Sequence, residues 1–321
     1  MMALRCSLAA WALAGVCAAA LGGGDPVQNL AASALKGDRQ AEQALEARAQ
    51  QGEVSAQYSM GMLFLSGKGP GRSDERALQW FERAAAAGHV ESAHNAAVIR
   101  ERGPASVRDM DKALAWYRLA AQAGYARSQA NLGRLLVHGK HPEDGIAWLE
   151  KARAQGEPLA FRELGLVYLE RKDLTPTDPG KAASLLGVAA AKGDALAQYR
   201  LATLYGAGLG VARDEAVALD WMGKAAAQRQ PDAEYFMAAM ESRKHNDAAS
   251  VDWLRRASRH GHAEAQYRLG LDYAEGRGVA KDGSEALGWL QQAARNGHPE
   301  AARAVREITE RMPSEAPDRL P

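Results

Sequence analysis

The chain of 321 residues has two cysteines, Cys6 and Cys17, both inside its first 24 positions. Residues 25–321 therefore cannot be stapled by a disulfide or build a cysteine metal cluster. A cysteine-free chain also avoids unwanted oxidation in an oxidising compartment, which fits the periplasm. Charge of one sign is lacking too. The chain carries 40 Lys and Arg against 39 Asp and Glu. Removing residues 1–24 takes away Arg5 and no acid, leaving 39 against 39. No net basic field exists to hold nucleic acid or an anionic membrane. The leader's apolar run is short for a membrane span.

Catalytic signatures are missing as well. There is no H-E-x-x-H, no Gly-Lys-Ser/Thr phosphate loop and no G-x-S-x-G elbow. His138 and His141 stand three apart beside a glycine turn, too few for a metal site. The glycine-rich Gly67-Lys68-Gly69 and Gly206 to Gly210 fall at turns of a repeating pattern. No enzyme, metal or cofactor is expected.

What the chain has is a repeated hairpin. Its clearest copy runs from His262 to Gly297. Ala265, Leu269, Gly270 and Tyr273 share one helix face, and Ala286, Trp289, Leu290 and Ala293 share another. A glycine turn, Gly276 to Lys281, joins them and leads to Asp282, placed to cap the second helix. The residue closing each hairpin recurs at Gly52, Gly88, Gly124, Gly156, Gly193, Arg229, Gly261 and Gly297. The steps between them are 36, 36, 32, 37, 36, 32 and 36 residues. Trp80, Trp116, Trp148, Trp221, Trp253 and Trp289 keep the same rhythm, with Leu185 in the fourth copy. Asp74, Asp214 and Asp282 recur as expected caps, and His89, His262 and His298 as helix starts. Such a period is the signature of an α-solenoid.

The repeated blocks are similar to those of the Sel-1-like repeats, relatives of the tetratricopeptide repeat. The first block reads Ala160, Leu164, Gly165, Tyr168, and again Ala265, Leu269, Gly270, Tyr273. The turn block reads Gly208-Leu209-Gly210-Val211-Ala212-Arg213-Asp214, and the third runs from Lys112 to Ala121. The resemblance covers Glu53 to Gly297. It implies an all-α, right-handed superhelical solenoid of seven helix-turn-helix repeats, and adaptor or scaffold roles in bacterial envelopes.

The ends differ from the repeat. Residues 1–24 place Arg5 before an apolar run and small residues, the pattern of a cleaved secretory leader, with Ala18 to Ala20 as the cleavage site. A periplasmic protein follows from this. Leu13 to Cys17 approaches a lipidation motif, although Val16 departs from the small residue needed there. Residues 25–52 read as two capping helices broken at Gly37, and His298 to Met312 as a closing helix. Residues 313–321 have little to bury and are expected to be disordered.

Departures from the pattern mark the candidate contact residues. Arg100 and Glu241 stand where other repeats place Tyr168, Tyr205 and Tyr273. A lone buried charge costs several kcal/mol, so each slot is either open or supplied with a partner. Arg100, Arg102, Arg243 and Lys244 are the residues expected to contact another protein. That protein is a toxic type VI secretion effector, often a phospholipase, if the chain is an immunity protein, as the resemblance to periplasmic repeat proteins of this size implies. The alternative is a scaffold for envelope or exopolysaccharide assembly; a hydrolase is a distant third.

Overall fold

The computed structural model describes residues 25–68 and 71–311. The expected leader, its lipidation and cleavage sites, and the tail 313–321 lie outside these residues. The described residues form an all-α solenoid without strands. Two capping helices come first, α1 (Pro26–Leu35) and α2 (Arg39–Gln50). Hairpins follow as α3 (Val54–Ser66) with α4 (Asp74–Ala86), α5 (Val90–Arg102) with α6 (Met110–Gln122), and α7 (Ala126–Val137) with α8 (Pro142–Ala154). These belong to one compact unit, which ends at Ala160. In the second unit lie most of α9 (Pro158–Glu170) with α10 (Pro179–Ala191), and α11 (Ala195–Ala207) with α12 (Glu215–Ala227). It continues through α13 (Pro231–Arg243) with α14 (Asp247–Arg259), α15 (Ala263–Glu275) with α16 (Gly283–Arg295), and the closing α17 (Ala301–Arg311).

Local chemistry sets these boundaries. Asp109, Asp178, Asp214 and Asp282 each accept a backbone N–H near the start of a second helix. The first hairpin departs from this expectation. There Ser73 is the cap, accepting from Arg76 N, while Asp74 is already helical and pairs with Arg72. An acid at the first helical position still complements the helix dipole. Each hairpin closes through a left-handed residue. The closing glycines have φ between 79° and 94°, and Arg229 adopts 64° at the same place. The helix expected from His298 begins in regular form only at Ala301, after Pro299.

The two helices of a hairpin approach closely at one small residue. Gly61, Ala97, Gly133, Gly165, Ala202, Ala238 and Gly270 hold this place on the first helices. A β-carbon added at Gly61, Gly133, Gly165 or Gly270 meets Phe81, Leu149, Leu186 or Leu290 at 2.6–2.8 Å. The residue opposite is always the one after the tryptophan slot, and Phe81, Tyr117, Leu149, Leu186 and Leu290 are fully buried. Each contributes about 1.5–3 kcal/mol. The tryptophans themselves are not all hidden. Trp80 is buried, but Trp148, Trp221 and Trp253 are half-buried under Lys151, Lys224 and Arg256, whose charged ends lie 4.0–4.3 Å from the rings. Adjacent helical residues differ by about 100° around the axis, so only one of the two can face inward.

A second recurring contact ties a first helix to the end of the helix before it and to the end of its own second helix. Gln57, Gln129, Gln198 and Gln266 are buried, and each side-chain amide donates to the carbonyl eight residues earlier. The amide oxygen then accepts from the residue capping the second helix: Gln155 onto Gln129, Gln228 onto Gln198, and Asn296 onto Gln266. Where the first member changes, the second changes with it. Glu234 meets His260 at 2.6 Å, and the ring of Phe161 meets Lys192 at 5.9 Å. Ala93 is matched by Ala123. The first hairpin breaks the rule. Ala87 stands at the capping position, and the buried Gln57 Oε1 has no hydrogen-bond partner.

Three consequences are measurable by chemical denaturation. Ala87→Gln supplies the missing donor from an exposed position and is expected to stabilise the protein by about 0.5–1.5 kcal/mol. Gly145→Ala drives a methyl to 2.5 Å from Val137 N and 2.7 Å from Gly133 O, backbone atoms that cannot give way. It is expected to cost about 1–3 kcal/mol. Gly288→Ala meets nothing within 4 Å in a helix and is expected to gain about 0.5–1 kcal/mol.

Candidate partner-binding surface

Neighbouring hairpins touch through a pair of side chains that is repeated along the chain. One member sits on a first helix, the other at the start of the next first helix. In the second unit Tyr235 stacks on His262 with ring centres 4.6 Å apart, and Tyr267 stacks on His298 at 4.1 Å. Arg162 and Asp194 replace this pair by an ion pair at 2.7 Å. In the first unit Tyr58 lies against His89 at 4.8 Å. The histidines do what their position predicts. His89 and His262 accept a backbone N–H three residues on and so cap their helices.

These pairs set out a row of tyrosines in the second unit. Tyr199, Tyr235 and Tyr267 occupy equivalent places on α11, α13 and α15, all half-buried. Carboxylates alternate with them. The Tyr235 hydroxyl donates to Glu264, 3.5 Å away, and the Tyr267 hydroxyl to Glu300, 3.2 Å away. Asp232 acts on the Tyr199 phenol, which burial first and this charge second push above its ordinary value. Beside the tyrosines stand Arg200, Phe236 and Arg268. Phe236 is 38% exposed, a large apolar side chain in water. Aromatic residues and arginine are the types that dominate binding at protein interfaces. Sequence reasoning missed this row because it tracked the residues that repeat for packing. The signal was there, in the tyrosine two places after each alanine at Ala197, Ala233 and Ala265.

The four cations singled out from the sequence are divided between the two units. Arg100 and Arg102 lie in the first unit, Arg243 and Lys244 in the second. Arg100 is engaged inside the fold. Its Nε and Nη2 donate to Glu82 Oε1, 2.9 and 2.7 Å away, and its Nη1 donates to Val107 O. The indole N–H of Trp116 donates to the same carboxylate. Arg102 is exposed and pairs with Glu101 at 3.1 Å. Burial pushes the Glu101 carboxyl up, but Arg134, Arg102 and the Tyr117 hydroxyl outweigh it and hold it below the ordinary carboxylate range. Glu241 accepts from Lys244 at 2.8 Å and from Asn246 at 3.0 Å, and the Lys244 contact lowers its carboxyl. Arg243 is exposed. Both charges that broke the tyrosine pattern thus have partners of opposite sign.

Among the described residues no group of three or more His, Cys, Asp or Glu could hold a metal ion. No helix of the described residues is long and apolar enough to cross a membrane.

The Sel1 repeat profile matches residues 54–89, 90–125, 126–157, 160–194, 195–229, 231–262 and 263–298. The chain belongs to the Sel1 repeat family. Members of this family serve as non-catalytic scaffolds that bind other proteins. Among curated proteins none matches the chain. Among solved structures it is similar to c5321, a protective antigen of uropathogenic Escherichia coli with an SLR fold. That match has 25% identity and a TM-score of 0.59, covering 91% of this chain and 66% of that one. The chain thus spans just under two thirds of that relative. It is also similar to a Sel1 repeat protein from Oxalobacter formigenes, at 26% identity and a TM-score of 0.49 over 89% of this chain and 95% of that one. The immunity protein Pa5087 from Pseudomonas aeruginosa matches at 19% identity and a TM-score of 0.44, over 77% and 83%.

Arg100 and Lys244 separate the structural cation from the surface one. Arg100→Ala leaves the half-buried Glu82 without its partner and is expected to cost about 1.5–3 kcal/mol in denaturant unfolding. Lys244→Ala, at an exposed pair, is expected to change stability by less than about 1 kcal/mol.

Proposed function

We propose that this Sel1 repeat protein is exported to the periplasm and binds one secreted protein there. The most specific form of this reading is an immunity protein that seats a toxic type VI effector, such as a phospholipase, on the tyrosine row of the second unit. The observation that carries the binding role is the exposed Phe236, next in the chain to Tyr235 and at the place that Arg200 and Arg268 hold after Tyr199 and Tyr267 in the neighbouring first helices. Rigid aromatic rings offer large contact area at low conformational cost, and the arginines offer directed hydrogen bonds. Export rests on Arg5 and the apolar run that follows it. The immunity role rests on the likeness in size and repeat content described from the sequence.

The test is affinity capture from the protein's own cell envelope with mass spectrometry, followed by inhibition of the captured protein's activity. One stoichiometric toxin, neutralised on binding, is the expected result. A set of glycan-export or cell-wall proteins would replace the immunity role by an envelope scaffold. Phe236→Asp is expected to leave stability within about 0.5 kcal/mol. It is expected to weaken capture by at least about 30-fold, as loss of a hot-spot residue does. Unchanged capture would remove the tyrosine row from the interface.

A further inference from the structure

One junction carries the tyrosine–histidine pair the other way round. In three places the aromatic on the first helix is tyrosine and the partner at the next helix start is histidine: Tyr58 with His89, Tyr235 with His262, and Tyr267 with His298. Between the second and third hairpins the order is reversed. His94 holds the helix position and Tyr125 the helix start, with ring centres 5.1 Å apart.

Reversal changes what surrounds the imidazole. The histidines at helix starts each face a carboxylate: His89 faces Glu91 at 3.7 Å, His262 faces Asp232 at 3.6 Å, and His298 faces Glu264 at 2.9 Å. His94 is buried, at 7% exposure, between Tyr125 and the ring of Tyr117, whose centre is 5.8 Å away. Its Nδ1 shares a hydrogen bond with Ser128 Oγ on α7, 2.9 Å away. The charges acting on it come from two elements. Arg127 on α7 and Arg102 on α5 oppose a proton on the ring, and Glu101 on α5 favours one. Glu101 is already held by Arg134, Arg102 and the Tyr117 hydroxyl of α6. Glu82 of α4 is taken up by Arg100 and Trp116. Burial first, and the two arginines next, hold the imidazole down at about 4.

We propose that the reversed His94–Tyr125 pair is an acid-released latch between the second and third hairpins. A proton taken up by the imidazole cannot be solvated between two tyrosine rings, so the ring leaves its pocket and the junction of α5, α6 and α7 loosens. An unfolded or opened chain offers the imidazole its ordinary value near 6.5. The opened state therefore binds the proton more strongly between pH 6.5 and 4, and stability of this junction falls as pH drops through that window. Asp272 in the second unit works with the opposite sign. Burial raises its carboxyl to about 6, against the lowering by Arg277, so acidification stabilises its surroundings. The latch thus predicts a local response, not a uniform one.

Amide hydrogen exchange on the purified protein between pH 7.5 and 5, corrected for intrinsic chemical rates, reads this directly. Protection in α5, α6 and the start of α7 is expected to fall by up to about tenfold per pH unit below pH 6. Protection around Asp272, at the end of α15, is expected to hold or rise; at the start of that helix burial also holds His262 below its ordinary value, against Asp232 and Glu264, so only a smaller fall is expected there. The double variant His94→Tyr with Tyr125→His restores the order of the other junctions and is expected to abolish the fall. An equal fall in the double variant, or an equal fall in both units, overturns the latch. Titration of the His94 ring protons by NMR in the unaltered protein is independent of whether the variant folds. A midpoint below 5 supports the latch, and one near 6.5 overturns it.

Discussion

Everything in this fold depends on how near the two helices of a hairpin can come. The small residue on each first helix admits the side chain that follows the tryptophan slot, and the crossing is fixed by that contact. Its tightest form is the third hairpin, where Gly133 and Gly145 put backbone against backbone. That hairpin also has a short turn, Gly139 to His141 between α7 and α8. A short turn leaves the helices little freedom to spread, and glycine on both sides is the chemical answer. The second hairpin solves the same problem differently. Its small residue is Ala97, and the side chain opposite is Tyr117, whose hydroxyl is anchored by Glu101. The acids and arginines that make this repeat look degenerate are the supports of a larger core residue.

Much of this could be read from the sequence, and the limits have physical reasons. The period was visible because closing residues need a left-handed backbone and the packing slots need small or large apolar side chains. Both are constraints of residue type, and residue type is what a sequence records. The paired slots were not visible in the same way. Gln129 and Gln155 are 26 positions apart, and neither is unusual alone. Their relation appears only when one sees Glu234 with His260 and Phe161 with Lys192 in the same two places. Arg100 and Glu241 were recognised as exceptions, but the sequence could not say whether water or a neighbour answers their charge. Glu82 and Lys244 answer it. The reversed His94 and Tyr125 are 31 positions apart, and nothing in the sequence shows that the two rings meet. The tyrosine row was overlooked for a related reason: the meaning of a half-buried phenol lies in the ring it meets in the next hairpin, which the sequence does not show.

The surface chemistry follows from the same economy. Aromatic rings that hold successive hairpins in register also present their edges to water. In the second unit the rings of Tyr235 and Tyr267 are fixed by stacking on His262 and His298. A binding surface built on them is preorganised, and the ordering of its side chains is complete before a partner arrives. The residues that fix the register of the repeats are thus also those of the proposed contact surface.

The matched pairs also bear on how such a chain can change its length. The pair that joins Gln129 to Gln155 lies within one hairpin and travels with it whenever a whole repeat is duplicated or lost. The tyrosine–histidine pair spans two hairpins and forms only where the new neighbours supply both rings. Excising the second repeat at its glycine boundaries would bring Tyr58 against Tyr125, two phenols with no imidazole between them. Inserting a copy of the seventh repeat after itself would join Tyr267 to His262, a pair of the accepted kind. Gene rearrangement in this protein is therefore not equally tolerated along its length. A duplicated C-terminal repeat thus makes a junction of a kind already present, while loss of the second repeat makes one that the described junctions do not contain.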